Sequence, residues 1–121
     1  MNETYFFDTY AFFEILNANL EYKRFESVQI VTTVFNLAEL NYGLKKRLSE
    51  TVADKITEEY YNTIVEVTLE DIQKAMSLKI KYKEFSIPDT IGYLIAKRLG
   101  IKFLTGDEGF RDFENVEFIK K

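Results

Sequence analysis

The chain has 121 residues, 46% hydrophobic and 30% charged, with a net charge of −4, the size and balance of one soluble globular domain. It contains no Cys and no His, which excludes thiolate nucleophiles, imidazole bases, Ser-His-Asp triads and Cys/His zinc sites. Catalysis would have to rest on carboxylates, hydroxyls, Lys, Arg or a hard metal held by oxygen, and the acidic balance argues against a broad basic surface for nucleic acid.

Thr4 to Phe7 reads as an aromatic strand ending at Asp8, followed by a helix from Ala11 to about Asn17. At that junction Asp8 suits an N-cap. Residues 21–27 read as a short helix or loop. Val28–Thr32 is a β-branched run of the kind buried on both faces of a parallel sheet. A helix follows from about Val34 to Leu48, with Leu37, Leu40, Leu44 and Leu48 as its apolar stripe and Glu39 beside it. Its basic end, Lys45-Lys46-Arg47, suits a helix C-terminus.

Thr51–Tyr61 predicts another helix, with Val52, Ile56 and Tyr60 at four-residue spacing, and Ile64–Val67 a third strand. Thr68-Leu69-Glu70-Asp71 resembles a capping box opening a helix to about Tyr82, striped by Ile72, Met76 and Ile80. Pro88-Asp89 opens the next helix, which Gly100 stops. A strand Lys102–Leu104, the turn Thr105-Gly106-Asp107 and a last strand Val116–Ile119 complete the chain.

Alternating strands and helices with no linker or repeat predict an α/β fold over residues 1–121. The expected architecture is one domain with a parallel sheet of about four to five strands and helices on both faces. In such sheets the functional crevice lies outside the carboxyl ends of the strands. Asp8 and Asp107 follow strands directly, while Glu39 and Asp89 lie in early turns of helices that begin at that edge. Four acids therefore converge on one rim. Two carboxylates about 4 Å apart repel by roughly 4 kcal/mol at an effective dielectric near 20, so such a rim calls for protonation or a cation. Hard divalent ions fit the all-oxygen donor set, and a pair of ions about 4 Å apart suits in-line attack at phosphorus.

The order Phe7-Asp8-Thr9, Leu37-Ala38-Glu39-Leu40 with Gly43 one turn on, Asp89, then Phe103-Leu104-Thr105-Gly106-Asp107 followed by Phe110 resembles a PIN domain. It is most similar to the compact VapC-type ribonuclease toxins and their archaeal relatives. The resemblance covers essentially the whole chain and implies a three-layer α/β/α fold and a Mg²⁺- or Mn²⁺-dependent endoribonuclease. By the same resemblance, Asp8, Glu39, Asp89 and Asp107 match the metal-binding acids and Thr105 a hydroxyl residue supporting the site. Lys45, Lys46, Lys83 and Lys97 are candidate phosphate contacts. It also implies an RNA substrate, a small antitoxin whose tail fills the groove, and a homodimer. Two positions depart from the family pattern. Tyr10 stands where a small hydroxyl residue is often found, and Gly109 where some members carry a further acid, which would weaken a second metal site. Two other readings compete: a non-catalytic interaction module on the same fold, and an aspartate-based phosphatase or receiver-type domain. The phosphatase wants an acid where Tyr10 stands. A missing leader, no apolar run near 18 residues and the lack of cysteine lead to the expectation of a cytoplasmic protein without a membrane span.

Overall fold

The computed structural model describes residues 3–120, so Met1, Asn2 and Lys121 at the ends of the expected domain lie outside the described residues. Strands β1 (Thr4–Phe7), β2 (Gln29–Val31), β3 (Lys102–Thr105) and β4 (Val116–Phe118) form one sheet in the order β2-β1-β3-β4. Every pairing is parallel, with Phe6 opposite Val31 on one side and Phe103 on the other. The helices are α1 (Thr9–Leu16), α2 (Val34–Lys45), α3 (Glu50–Glu59), α4 (Leu69–Lys81) and α5 (Ile87–Leu99). Among the described residues, no helix is long and apolar enough to cross a membrane.

Because strand side chains alternate between faces, the central strand β1 feeds two cores. Tyr5 and Phe7 join Leu104, Phe12, Leu37, Leu40 and Leu44 beneath α1 to α3. Phe6 and Phe103 join Ala75, Ile91, Ile95 and Phe110 beneath α4 and α5. The three-layer α/β/α arrangement follows. The segment read as a short helix or loop is a 3₁₀ helix, Leu20–Ser27, and it anchors the first core by burying Tyr22 and Phe25.

Several expectations change. Ile64–Val67 is no strand: a single parallel bridge joins Ile64 to Thr32. The Thr32 N–H reaches the Thr63 carbonyl and its own carbonyl receives the Val65 N–H. Beyond that point the Glu66 carbonyl accepts from Arg98, and Thr68 turns inward to cap α4, so no ladder propagates. The capping box is present as read, with the Asp71 carboxylate accepting the Thr68 N–H and Thr68 Oγ1 accepting the Asp71 N–H.

Helix α4 does not bury its large stripe. Ala75 and Asp71 face inward, and Arg98 closes on Asp71 with two hydrogen bonds of 3.0 Å. Ile72 and Ile80 stand exposed instead. Helix α2 ends at Lys45, leaving Leu48 exposed beyond it, and α3 buries Ala53 while Val52 faces outward. Helix α5 begins at Ile87, one residue before Pro88. Ser86 caps it by accepting the Asp89 N–H, and Gly100 ends it in the left-handed conformation that glycine adopts without penalty.

Candidate functional site

An open groove of about 730 Å³ lies at the carboxyl edge of the sheet, lined by Asp8, Glu39, Asp89 and Asp107 among others. Parallel topology brings these four acids together, since strand ends share that edge with the starts of helices that run antiparallel to the strands, α2 after β2 and α5 before β3.

Asp8 is buried at the end of β1 and does two things at once. Its Oδ1 accepts the Ala11 N–H at 2.8 Å, capping α1, and its Oδ2 accepts the Thr105 hydroxyl at 2.6 Å. Thr105 Oγ1 in turn accepts the Asp107 N–H, so one buried hydroxyl ties the ends of β1 and β3 to the loop carrying the fourth acid. Asp107 is exposed, and its Oδ1 accepts the Gly109 N–H, capping a 3₁₀ turn over Glu108–Phe110. Asp107 therefore has a local role in the backbone that its turn sequence did not announce.

Glu39 is held by Thr9, whose hydroxyl donates to Oε1 at 2.6 Å. Asp89 sits in the first turn of α5 and lines the groove beside the capping Ser86. Burial drives the Asp89 carboxyl up to about 6, Glu39 and Asp107 add to this by repulsion, and the hydrogen bond from Ser86 opposes it. Burial, reinforced by the charge of Asp89 and more weakly by Asp107, pushes Asp8 well above the carboxylate range, against the hydrogen bonds from Thr105 and Ala11. Asp8 and the half-buried Asp89 thus feel the neighbouring carboxylates and resist carrying full charge without a counterion.

The donor set fits a hard divalent ion. It is all oxygen, four carboxyl groups lining a groove open to water. Among the described residues, no three acids are gathered closely enough to clasp an ion by themselves. A Mg²⁺-sized ion needs only one or two direct carboxylates and keeps several waters, so the open arrangement suits a hydrated ion better than a rigid cage.

The lysines separate. Lys46 lines the groove, with its ammonium 4.5 Å from the centre of the Tyr42 ring. Lys45 instead pairs with Asp54 at 2.9 Å, and Lys97 with Glu114 at 2.7 Å. Lys83 borders a separate apolar depression with Met76 and Ile80. These three are not among the groove's lining residues. Thr9, Tyr10, Tyr42, Ser86, Glu108 and Lys120 also line the groove; in the sequence Thr9 and Tyr10 stand out only as part of the motif around Asp8, and none of the six carries a site role there. Only Thr9 and Ser86 had a legible signal, as hydroxyl residues at helix starts.

Gly109 also becomes intelligible. A Cβ there would lie 2.6 Å from Cε1 of Phe85, a fully buried ring stacked 4.0 Å from Phe110. An acid cannot be added at this position without displacing that stack. Gly109→Asp is expected to lower stability by roughly 1–3 kcal/mol without tightening ion binding, as measured by thermal denaturation and calorimetry.

Solved structures include several similar chains. One belongs to a toxin-antitoxin complex from Klebsiella pneumoniae, with a TM-score of 0.77 and 20% identity, covering 96% of this chain and 98% of that one. Another belongs to VapBC2 from Rickettsia felis bound to a DNA fragment from their promoter, with a TM-score of 0.70 and 15% identity, covering 97% and 98%. At such identities the likeness speaks to the fold alone. Comparison with curated proteins yields no match. The PIN domain family model, however, matches residues 5–116, a span that runs from β1 through the first residue of β4 and includes all four groove acids. On that match the chain belongs to the PIN domain family.

Proposed function

We propose that this protein is a Mg²⁺- or Mn²⁺-dependent endoribonuclease and the toxin of a toxin-antitoxin pair. The observation that carries the reading is the groove itself, where Asp8, Glu39, Asp89 and Asp107 converge and the more buried two resist ionisation. A bound divalent ion supplies charge stabilisation at phosphorus and a water activated for in-line attack. The chain's own residues hold and orient. Asp8, Glu39, Asp89 and Asp107 would hold the ion, one or two directly and the others through its waters, while Thr105 fixes the Asp8 carboxylate and Thr9 that of Glu39. Tyr42 and Lys46 form the wall along which the RNA strand lies, the ring offering a face for a base and the ammonium a partner for phosphate.

Incubating labelled RNA with the protein, with and without Mg²⁺ or Mn²⁺, tests the activity. Absence of metal-dependent cleavage would defeat the ribonuclease reading. Lys46→Ala is expected to raise KM about threefold at constant kcat, the scale of one exposed ionic contact. A drop in kcat alone would place Lys46 outside substrate binding.

The partner reading draws on the similar chain from a toxin-antitoxin complex, and a small antitoxin seated in the groove is what we expect to co-purify. For a homodimer, the exposed Leu69, Ile72 and Ile80 of α4, with Val34 and Phe35 beside Ile72, supply an apolar face. Helix α4 has acids in its first turn and lysines in its last. A two-fold antiparallel pairing would set Glu70 of one copy near the basic end of the other. Ile80→Glu is expected to convert a dimer to a monomer in sedimentation. An unchanged mass would remove α4 from the interface.

A further inference from the structure

Behind Glu39 runs a line of hydrogen bonds that no metal ligand requires. Thr33 and Asn36 are fully buried at the start of α2. The Thr33 hydroxyl donates to Asn36 Oδ1 at 2.7 Å while Thr33 Oγ1 accepts the Asn36 N–H, capping the helix. Asn36 Nδ2 then donates to Thr9 Oγ1 at 3.2 Å, and the Thr9 hydroxyl donates to Glu39 Oε1 at 2.6 Å. An ordinary N-cap needs only the first residue of this series. The rest crosses from α2 to α1 and returns to α2 one turn later.

The line has a direction. A hydroxyl has one hydrogen, so Thr9 can donate to Glu39 or to Asn36 but not to both. Asn36 presents its NH₂ to Thr9 because its carbonyl oxygen is engaged by Thr33, and this leaves the Thr9 hydrogen for the carboxylate. Turned the other way, the Asn36 amide would take that hydrogen and leave Glu39 Oε1 without its donor. We propose that Thr33, Asn36 and Thr9 form a directional relay in which Asn36, a residue that does not line the groove, is a positioning residue for the divalent ion. It acts by fixing one oxygen of Glu39 so that the other is presented to the ion. This rests on the metal-site reading above. Hydrogen-bonded groups behind a ligand commonly govern affinity in this way, with losses of about 10–100-fold when they are removed.

The test is Mn²⁺ binding by calorimetry on the whole chain, with the melting temperature of each metal-free variant recorded alongside. Thr9→Val keeps the shape and removes the hydrogen, and is expected to weaken Mn²⁺ binding at least about tenfold. Thr9→Ser restores the hydroxyl and should bind within about twofold of the parent, a rescue that a packing role would not give. Asn36→Ala should match Thr9→Val. Should Asn36→Ala fail to fold, the Val and Ser pair at position 9 decides the matter. Parent-like affinity in Thr9→Val would overturn the relay while leaving the metal site standing. A parent protein that binds no Mn²⁺ would overturn the metal-site reading and the relay with it, so the two failures are told apart by the parent's own isotherm.

Discussion

Asp8→Asn is expected to lower metal-dependent RNA cleavage on the order of 10³-fold, equivalent to several kcal/mol of lost charge stabilisation, without lowering stability. The two halves of that outcome belong together. Asparagine is nearly isosteric and can still accept the Ala11 N–H through its Oδ1, so the α1 cap survives. Its Nδ2 then faces Thr105 Oγ1, which must accept where it had donated, a cost of about 1–3 kcal/mol that loss of the buried charge offsets. It also removes a buried carboxyl that burial and the neighbouring Asp89 push well above its ordinary range. A residue kept for structure alone would cost stability when replaced. One kept to hold a cation should relieve strain when neutralised and take the activity with it. Parallel measurement of cleavage rate and melting temperature in chelator at pH 7 separates these cases. Undiminished cleavage by Asp8→Asn would assign the activity to something other than this groove.

The second large effect concerns pH and the ion together. Asp8 and Asp89 have folded-state pKa values above the ordinary 3.8, Asp89 at about 6. Between those values the folded protein holds more protons than the unfolded chain. Stability contributed by these groups is therefore present at about pH 4 and is lost as pH rises through about 6. A divalent ion should offset part of that loss, because it binds the ionised carboxylates. At ten times its dissociation constant the ion contributes about 1.4 kcal/mol, or roughly 4–8 °C for a chain of this size. We expect Mg²⁺ or Mn²⁺ to raise the melting temperature by that amount at pH 7.5 and hardly at all at pH 5. Asp89→Asn should abolish the metal-dependent rise and melt higher than the parent in chelator at pH 7.5. Equal melting temperatures with and without ions at pH 7.5 would contradict both the coupling of these acids and the site built on it.

Helix α4 and Gly109 show where pattern reading stops. The period of Ile72, Met76 and Ile80 correctly marks a helix with an apolar side, but periodicity does not say what covers that side. Ala75 and Asp71 pack inward because small residues let α4 approach α5 closely and because Arg98 neutralises the buried carboxylate. Gly109 looked like a missing acid, whereas the Phe85 ring leaves room for nothing larger. The Ile64–Val67 run has strand-like composition, yet pairing stops at the Ile64–Thr32 bridge and the Val65 N–H. Glu66 and Thr68 are engaged by Arg98 and Asp71 of the helical layer instead of by the edge of β2, tertiary context that overrides propensity.

What the amino-acid sequence determined by itself is the order of strands and helices, the Ile64–Val67 run excepted, and, through it, the meeting of Asp8, Glu39, Asp89 and Asp107 at one rim. Parallel β/α units place strand ends and the starts of the antiparallel helices on the same edge whatever the details of packing. What only the tertiary structure decided is how that rim is held and which neighbours it has. The Thr33–Asn36–Thr9 line behind Glu39, the Thr105 hydroxyl on Asp8, and the selection of Lys46 over Lys45, Lys83 and Lys97 all depend on how each helix is turned about its axis and which distant side chains then touch. Those contacts join residues from 3 to 97 positions apart. A local period carries no information about such distances, and packing between the layers supplies it.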